Sequence, residues 1–218
     1  MLPVALGGAD RPVRQILALG AHPDDIEIGC GGAILKIIER YQPRSVVWVV
    51  FSGSRERADE ARSSAKAFLE GVEEQRVDVK GFRDGFFPGS SDAIKEIFEE
   101  LKGAVAPDVI FTHRRQDAHQ DHRLIGELTW NTFRDHLILE YEIPKYEGDL
   151  GAPNLFVPLD RSTAARKIEL LLKGFPSQHS RTWFDADLFW AVLRLRGLEA
   201  SSPTRYAEGF YCRKTVVS

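Results

Sequence analysis

Two short stretches of this chain concentrate residues that could share a metal ion. The first is "HPDD", His22 to Asp25, which follows the apolar run "QILALGA" and runs on into "IEIGCGG". The second is "HQDH", His119 to His122, which follows "DVIFTHRRQDA". Adjacent aspartates repel one another unless a positive charge holds them, and a divalent cation is such a charge. A catalytic zinc takes three protein ligands, from imidazole nitrogen and carboxylate oxygen, and keeps a fourth position for water. His22 and Asp25 stand three apart around a proline-fixed turn and can converge, and His122 can supply the third ligand. Asp24 would then point elsewhere, an unliganded acid beside the water, where a general base belongs. His119 would face that water from the far side, to stabilise an oxyanion or protonate a leaving amine. Asp121 is suited to orient an imidazole. Either stretch alone has a plain explanation, since Asp117 and Asp121 also suit the first turn of a helix. Both together, each at the end of an apolar strand, argue for a site.

The elements that would position them alternate as strand and helix over roughly the first 135 residues, the pattern of βαβ units. Strands are predicted at "QILALGA", "SVVWVVFS", weakly at "QRVDV", and at "DVIFTH". Helices are predicted at "GAILKIIERY", "RERADEARSSAKAFLEG", "DAIKEIFEELKGAV" with Asp92 as N-cap, and "HRLIGELTWNTFRDHLI". From about residue 138 the pattern is less regular. "YEIPKYEGDLGAPNLFVPLD" reads as a long loop between two short strands, of the kind often used for binding. Two helices ("STAARKIELLLKGF", "DADLFWAVLRLRG") and a strand near "RYAEGFYCRK" follow. An α/β, mostly parallel sheet flanked by helices in one domain is the economical reading. In a doubly wound sheet of the common order, "HPDD" and "HRRQDAHQDH" face each other across the crevice at the carboxyl ends of adjacent strands.

Composition narrows the function classes. The 218 residues carry a net charge of −3, which argues against a nucleic-acid binder, and 43% hydrophobic and 28% charged residues are ordinary for a soluble domain. Only two cysteines occur, which points to a reducing compartment rather than a disulfide scaffold. The opening "MLPVALGGADRPVR" lacks the layout of a signal peptide, and "VVWVVF" is too short to span a bilayer. A cytoplasmic protein with no membrane span is expected; a homo-oligomer is left open.

"AHPDD" with a later "HxDH" resembles the signature of the LmbE-like, or PIG-L-type, N-acetylglucosaminyl deacetylases. "FSGSRERADEA", with Arg57 and Glu60, "FRDG", with Asp84, and the later "FPSQ" and "YAEGF" are similar to further blocks of that family. The resemblance covers most of the chain and implies a Rossmann-like fold over residues 1–218, with the part from about 138 contributing loops to the site. It implies a divalent metal, usually Zn2+, and hydrolysis of an N-acyl group, commonly acetyl, from an amino sugar or sugar conjugate. By motif, His22, Asp25 and His122 would bind the metal and Asp24 would be the base. His119 would be the electrophilic or acid partner and Asp121 its charge-balancing neighbour. Arg57 and Asp84 would contact sugar hydroxyls. Gly29, Gly31 and Gly32 would allow close approach at the start of the first helix.

Other classes compete. An amidase for a larger acyl group would use the same chemistry. Two histidines and a carboxylate also serve non-haem iron oxygenases. A nucleotide loop is disfavoured by carboxylates where phosphate would sit and by glycine spacing unlike G-x-G-x-x-G. A metal kept only for structure completes the set. Weaker claims attach to Arg114 and Arg115 as anion partners, His179 as a residue reaching the site, and Trp183 as a pocket wall. Cys30 reads as a small buried side chain.

Overall fold

In a computed structural model, which describes residues 3–8 and 12–216, seven strands form one sheet in the order β3-β2-β1-β4-β5-β7-β6. The strands are β1 (Gln15–Gly20), β2 (Ser45–Ser52), β3 (Glu74–Phe82), β4 (Val109–His113), β5 (Leu137–Tyr141), β6 (Leu155–Leu159) and β7 (Tyr206–Tyr211). The first five are parallel, whereas β7 runs antiparallel to both β5 and β6. Parts of the opening stretch (residues 1, 2 and 9–11) lie outside the described residues.

The helices are α1 (Asp25–Tyr41), α2 (Arg55–Phe68), α3 (Ser91–Ala104), α4 (Gln120–Thr132), α5 (Arg161–Gly174) and α6 (Ala186–Glu199). β1 shows how they divide. Ile16 and Ala18 point into one core with side chains of α1, α2, α5 and α6, while Leu17 and Leu19 point into a second with α3 and α4. That alternation is the period-2 consequence of the strand pleat. With both faces covered, β2 is buried along its whole length, which explains its unbroken apolar run.

Three expectations are corrected. The first helix starts at Asp25, not at residue 32, so the glycine-rich stretch is itself helical. Its glycines admit side chains that press on the helix. A Cβ at Gly29 would lie 2.2 Å from the Tyr141 ring, and one at Gly32 would lie 2.5 Å from Leu159. The helix expected over 122–138 ends at Thr132, because Leu137 and Ile138 pair with Val109 and Ile110 as strand β5. Sheet hydrogen bonding there overrides helical spacing. The N-cap of α3 is Ser90, and Asp92 lies inside the first turn.

The middle of α1 is gripped from the far end of the chain. Gly32 and Ala33 N–H groups donate to the Glu208 carboxylate at 2.8 and 2.6 Å. Lys167 Nζ, itself buried, donates to the Ile28 carbonyl and to Glu208, both at 2.6 Å. Side chains inserted among backbone groups in this way fix the course of a helix.

Candidate metal centre

β1 and β4 are neighbours, and the order of the sheet reverses its direction of travel between them, so the segments leaving their carboxyl ends share a crevice. β1 delivers His22 to Asp25 there. Asp24 occupies the N-cap of α1 at φ 90°, ψ −20°, a left-handed conformation that costs a non-glycine residue on the order of 1–3 kcal/mol. The turn sends the two adjacent carboxylates to different partners. Asp25 lies against imidazoles, and Asp24 accepts from Arg57 Nη2 at 2.8 Å.

The residues expected to share an ion lie side by side. His22 Nδ1 lies 3.1 Å from His122 Nε2 and 3.5 Å from Asp25 Oδ2. His122 Nε2 lies 3.6 Å from Asp25 Oδ1. Donors about 2.1 Å from a tetrahedral cation stand about 3.4 Å from one another; the two imidazole nitrogens approach that spacing, while each of them lies against a different oxygen of Asp25. The nitrogens facing away from this point meet carboxylates. His22 Nε2 is 3.0 Å from Asp84 Oδ1 and 3.2 Å from Asp121 Oδ2, and His122 Nδ1 is 3.2 Å from Asp117 Oδ2. Metal-ligating histidines characteristically turn their second nitrogen to such an acceptor. His119 is the N-cap of α4, where its Nδ1 accepts the Asp121 N–H at 3.3 Å, and its ring meets that of His22 edge-on at 5.0 Å.

Charge follows this geometry. Burial pushes Asp25 upward, but the His122 and His113 imidazoles outweigh it and hold the carboxyl well below the usual range. Burial disfavours the His22 cation, yet Asp121, Asp25 and Asp84 outweigh that and raise it well above its ordinary value. Burial raises Asp24 to about 7, against the pull of Arg57. His119 is lowered, by burial first and then by His122, which keeps it neutral near pH 7.

Several partners differ from those the resemblance implies. The Asp121 carboxylate faces His22, not His119, and accepts N–H groups from Gly85 at 2.7 Å and Phe87 at 3.1 Å. Arg57 is engaged by protein. It bonds Asp24, the Pro23 carbonyl at 2.5 Å and Glu60 at 3.3 Å, and lies 5.1 Å from the Phe175 ring centroid. Glu60 in turn accepts the Ser177 N–H and hydroxyl at 2.8 and 2.6 Å, which ties "FPSQ" to this side of the site. Asp84 touches His22 but keeps a side chain that is 76% exposed.

Sequence reasoning missed His113. It is wholly buried, lies 3.0 Å from Asp25 Oδ2 and stacks on His122 at 3.9 Å, and Asp25, His113 and His122 form one donor group within 4.8 Å, as do His22, His119 and His122. A histidine ending the buried run "VIFTH" beside the first strand was the available signal. Missed as well was Asp117 as a partner of His122. Of the weaker candidates, Arg114 lies over Tyr211 and donates to the Asp149 carbonyl, while the Arg115 side chain is exposed. His179 faces the Leu172 carbonyl at 2.8 Å, Trp183 packs half-buried against the core, and Cys30 is buried. Among the described residues no helix is long and apolar enough to cross a membrane.

Residues 17–133, more than half of the chain, match the family model described as PIG-L: GlcNAc-PI de-N-acetylase. A relative from Escherichia coli (strain K12), named uncharacterized deacetylase YaiS, is 28% identical over 156 residues, which cover 66% of this chain and 82% of that protein. The N,N'-diacetylchitobiose deacetylase of Pyrococcus horikoshii superposes with a TM-score of 0.71 at 20% identity, covering 92% of this chain and 84% of that one. The 4-carboxy-2-hydroxymuconate hydratase GalB of Pseudomonas putida KT2440 superposes with a TM-score of 0.74 at 18% identity, covering 94% and 98%. The fold is thus shared with proteins named for two different reactions, and the matched segment contains both histidine–aspartate stretches of the crevice: this chain belongs to the PIG-L de-N-acetylase family.

Proposed function

We propose that this protein is a zinc-dependent hydrolase that removes an N-acetyl group from an amino sugar or sugar conjugate. The observation that supports the reading is the approach of His22 Nδ1 to His122 Nε2 at 3.1 Å, with Asp25 oxygens 3.5 and 3.6 Å from them, while the outer nitrogen of each imidazole lies beside a carboxylate. His22, Asp25 and His122 would hold the ion. Bound there, zinc supplies Lewis acidity, which polarises an amide carbonyl and makes water more acidic.

The remaining roles fall to the chain's own groups. Asp24 takes the proton as water attacks the amide carbon, with its carboxylate aimed by Arg57. Because His119 Nδ1 accepts a backbone N–H, neutral His119 carries its proton on Nε2. That N–H donates to the carbonyl oxygen as negative charge develops. When the C–N bond breaks, the proton held by Asp24 passes to the departing amine, and acetate and free amine leave. Asp84, exposed at the mouth, meets a sugar hydroxyl. Arg57 orients Asp24 as its main task. Segments beyond residue 138 complete the surroundings through Lys145, Asp149 and Ser177.

Metal analysis of protein refolded with zinc, followed by acetate release from a panel of N-acetylglucosamine derivatives, tests the reading. Asp24→Asn is expected to keep its zinc and lose nearly all hydrolysis. Full activity in that variant removes Asp24 as the base. Oxygen uptake driven by a 2-oxo acid would instead favour an iron oxygenase.

A further inference from the structure

Lys145 reaches the metal centre from the connection between β5 and β6. Its side chain is 12% exposed, and its Nζ lies 2.9 Å from Asp117 Oδ2, 2.6 Å from Asp149 Oδ1 and 3.3 Å from the Ile143 carbonyl. Asp117 is deeper still. Its Oδ1 accepts the His119 N–H at 2.8 Å, and its Oδ2 faces His122 Nδ1 at 3.2 Å. One buried carboxylate therefore touches both histidines of the second stretch, and Lys145 supplies a cation against it. The connection is fastened at two further points. Asp149 Oδ2 accepts the Ala118 N–H at 2.7 Å, and the Tyr146 hydroxyl lies 3.2 Å from that of Thr182.

We propose that Lys145 is a positioning residue for the metal centre: its ammonium holds Asp117 in the orientation that aims His122 and His119. The proposal rests on the metal reading above. The physical reason is the cost of a buried charge without a partner. With the ammonium gone, Asp117 has an incentive to turn toward water. His122 then loses the acceptor behind it, and Nε2 is no longer aimed at the point shared with His22 and Asp25. Loss of an outer acceptor of this kind typically weakens metal binding by about 10–100-fold.

The test is the zinc affinity of metal-free protein, measured by competition with a chromophoric chelator, for wild type, Lys145→Met, Lys145→Arg and Asp149→Asn. Lys145→Met is expected to bind zinc about 10–100-fold more weakly. Lys145→Arg keeps a cation at Asp117, and Asp149→Asn leaves Lys145 in place, so both are expected within about threefold of wild type. If Lys145→Met does not fold, Lys145→Gln is read instead, since it removes the charge and keeps a donor. Wild-type affinity in the uncharged variant overturns the proposal. So does a loss in Asp149→Asn as large as in Lys145→Met, which is the mark of general loosening of the connection. A wild-type protein that takes up no zinc defeats the metal reading itself, and this proposal with it.

Discussion

Gly29→Ala probes how tightly the crevice is packed from behind. An ideal Cβ at this position would lie 2.2, 2.6 and 2.8 Å from three atoms of the Tyr141 ring, where ordinary carbon contacts fall at about 3.5–4.0 Å. The ring is wholly buried, and its hydroxyl donates to the Leu19 carbonyl at 2.7 Å and lies 3.2 Å from His113 Nε2. It cannot swing aside without disturbing a neighbour of Asp25. Overpacking of this severity costs about 3 kcal/mol, while alanine in a helix interior gains about 1 kcal/mol over glycine. The net loss is about 2 kcal/mol, or a fall in Tm of about 4–8 °C for a chain of this length. Tyr141→Ala removes the obstacle at its own cost of about 3–5 kcal/mol. In that background Gly29→Ala should be neutral or stabilise by up to about 1 kcal/mol. Urea denaturation of the four proteins, combined as a double-mutant cycle, gives the coupling. Equal losses in both backgrounds would refute the claim that the ring dictates glycine.

Two further expectations concern charges away from the crevice. Asp160 caps α5 by accepting the Thr163 N–H at 2.8 Å, so Asp160→Ala should cost about 1 kcal/mol in thermal melts near pH 7. The Ser162 hydroxyl and the Thr163 N–H hold this carboxyl down at about 2. Its contribution is therefore full above about pH 4 and is lost as pH falls through about 2, where melts of variant and wild type should converge. Arg196 is 2% exposed and grips Glu142 with two bonds of 2.5 and 2.8 Å. Arg196→Met strands that carboxylate and should cost about 3–5 kcal/mol in denaturant, whereas Arg196→Met with Glu142→Leu should recover most of the loss.

What could be read in the sequence was whatever depends on local pattern. The continuous apolar runs of β1, β2 and β4 and the residues that follow them placed both histidine–aspartate stretches at strand ends, and the common sheet order placed them opposite one another. The antiparallel end of the sheet was harder, because its pairing spans long connections. Leu137 and Ile138 carry no mark that distinguishes the end of a helix from the start of a strand; only the neighbouring β4 decides. The supporting shell was hidden for the same reason. Asp117 looks like an ordinary first-turn acid, and nothing local says that Lys145, 28 positions on, will meet it. His113 was visible as a residue but not as a neighbour of Asp25.

The hold of Glu208 on the amides of α1 has a consequence for how the molecule is made. Those amides lie 175 and 176 positions before the carboxylate that receives them, so a ribosome must add that many further residues before they can find it. Contacts of such separation form late, after the entropy of closing a long loop has been overcome. The helix that presents Asp25 can begin early in synthesis, but it settles into its final course only when the last strand arrives. Chains cut after the residues shared with the family would thus emerge with both acidic stretches present and the scaffold behind them unfinished, exposed to aggregation and to proteases.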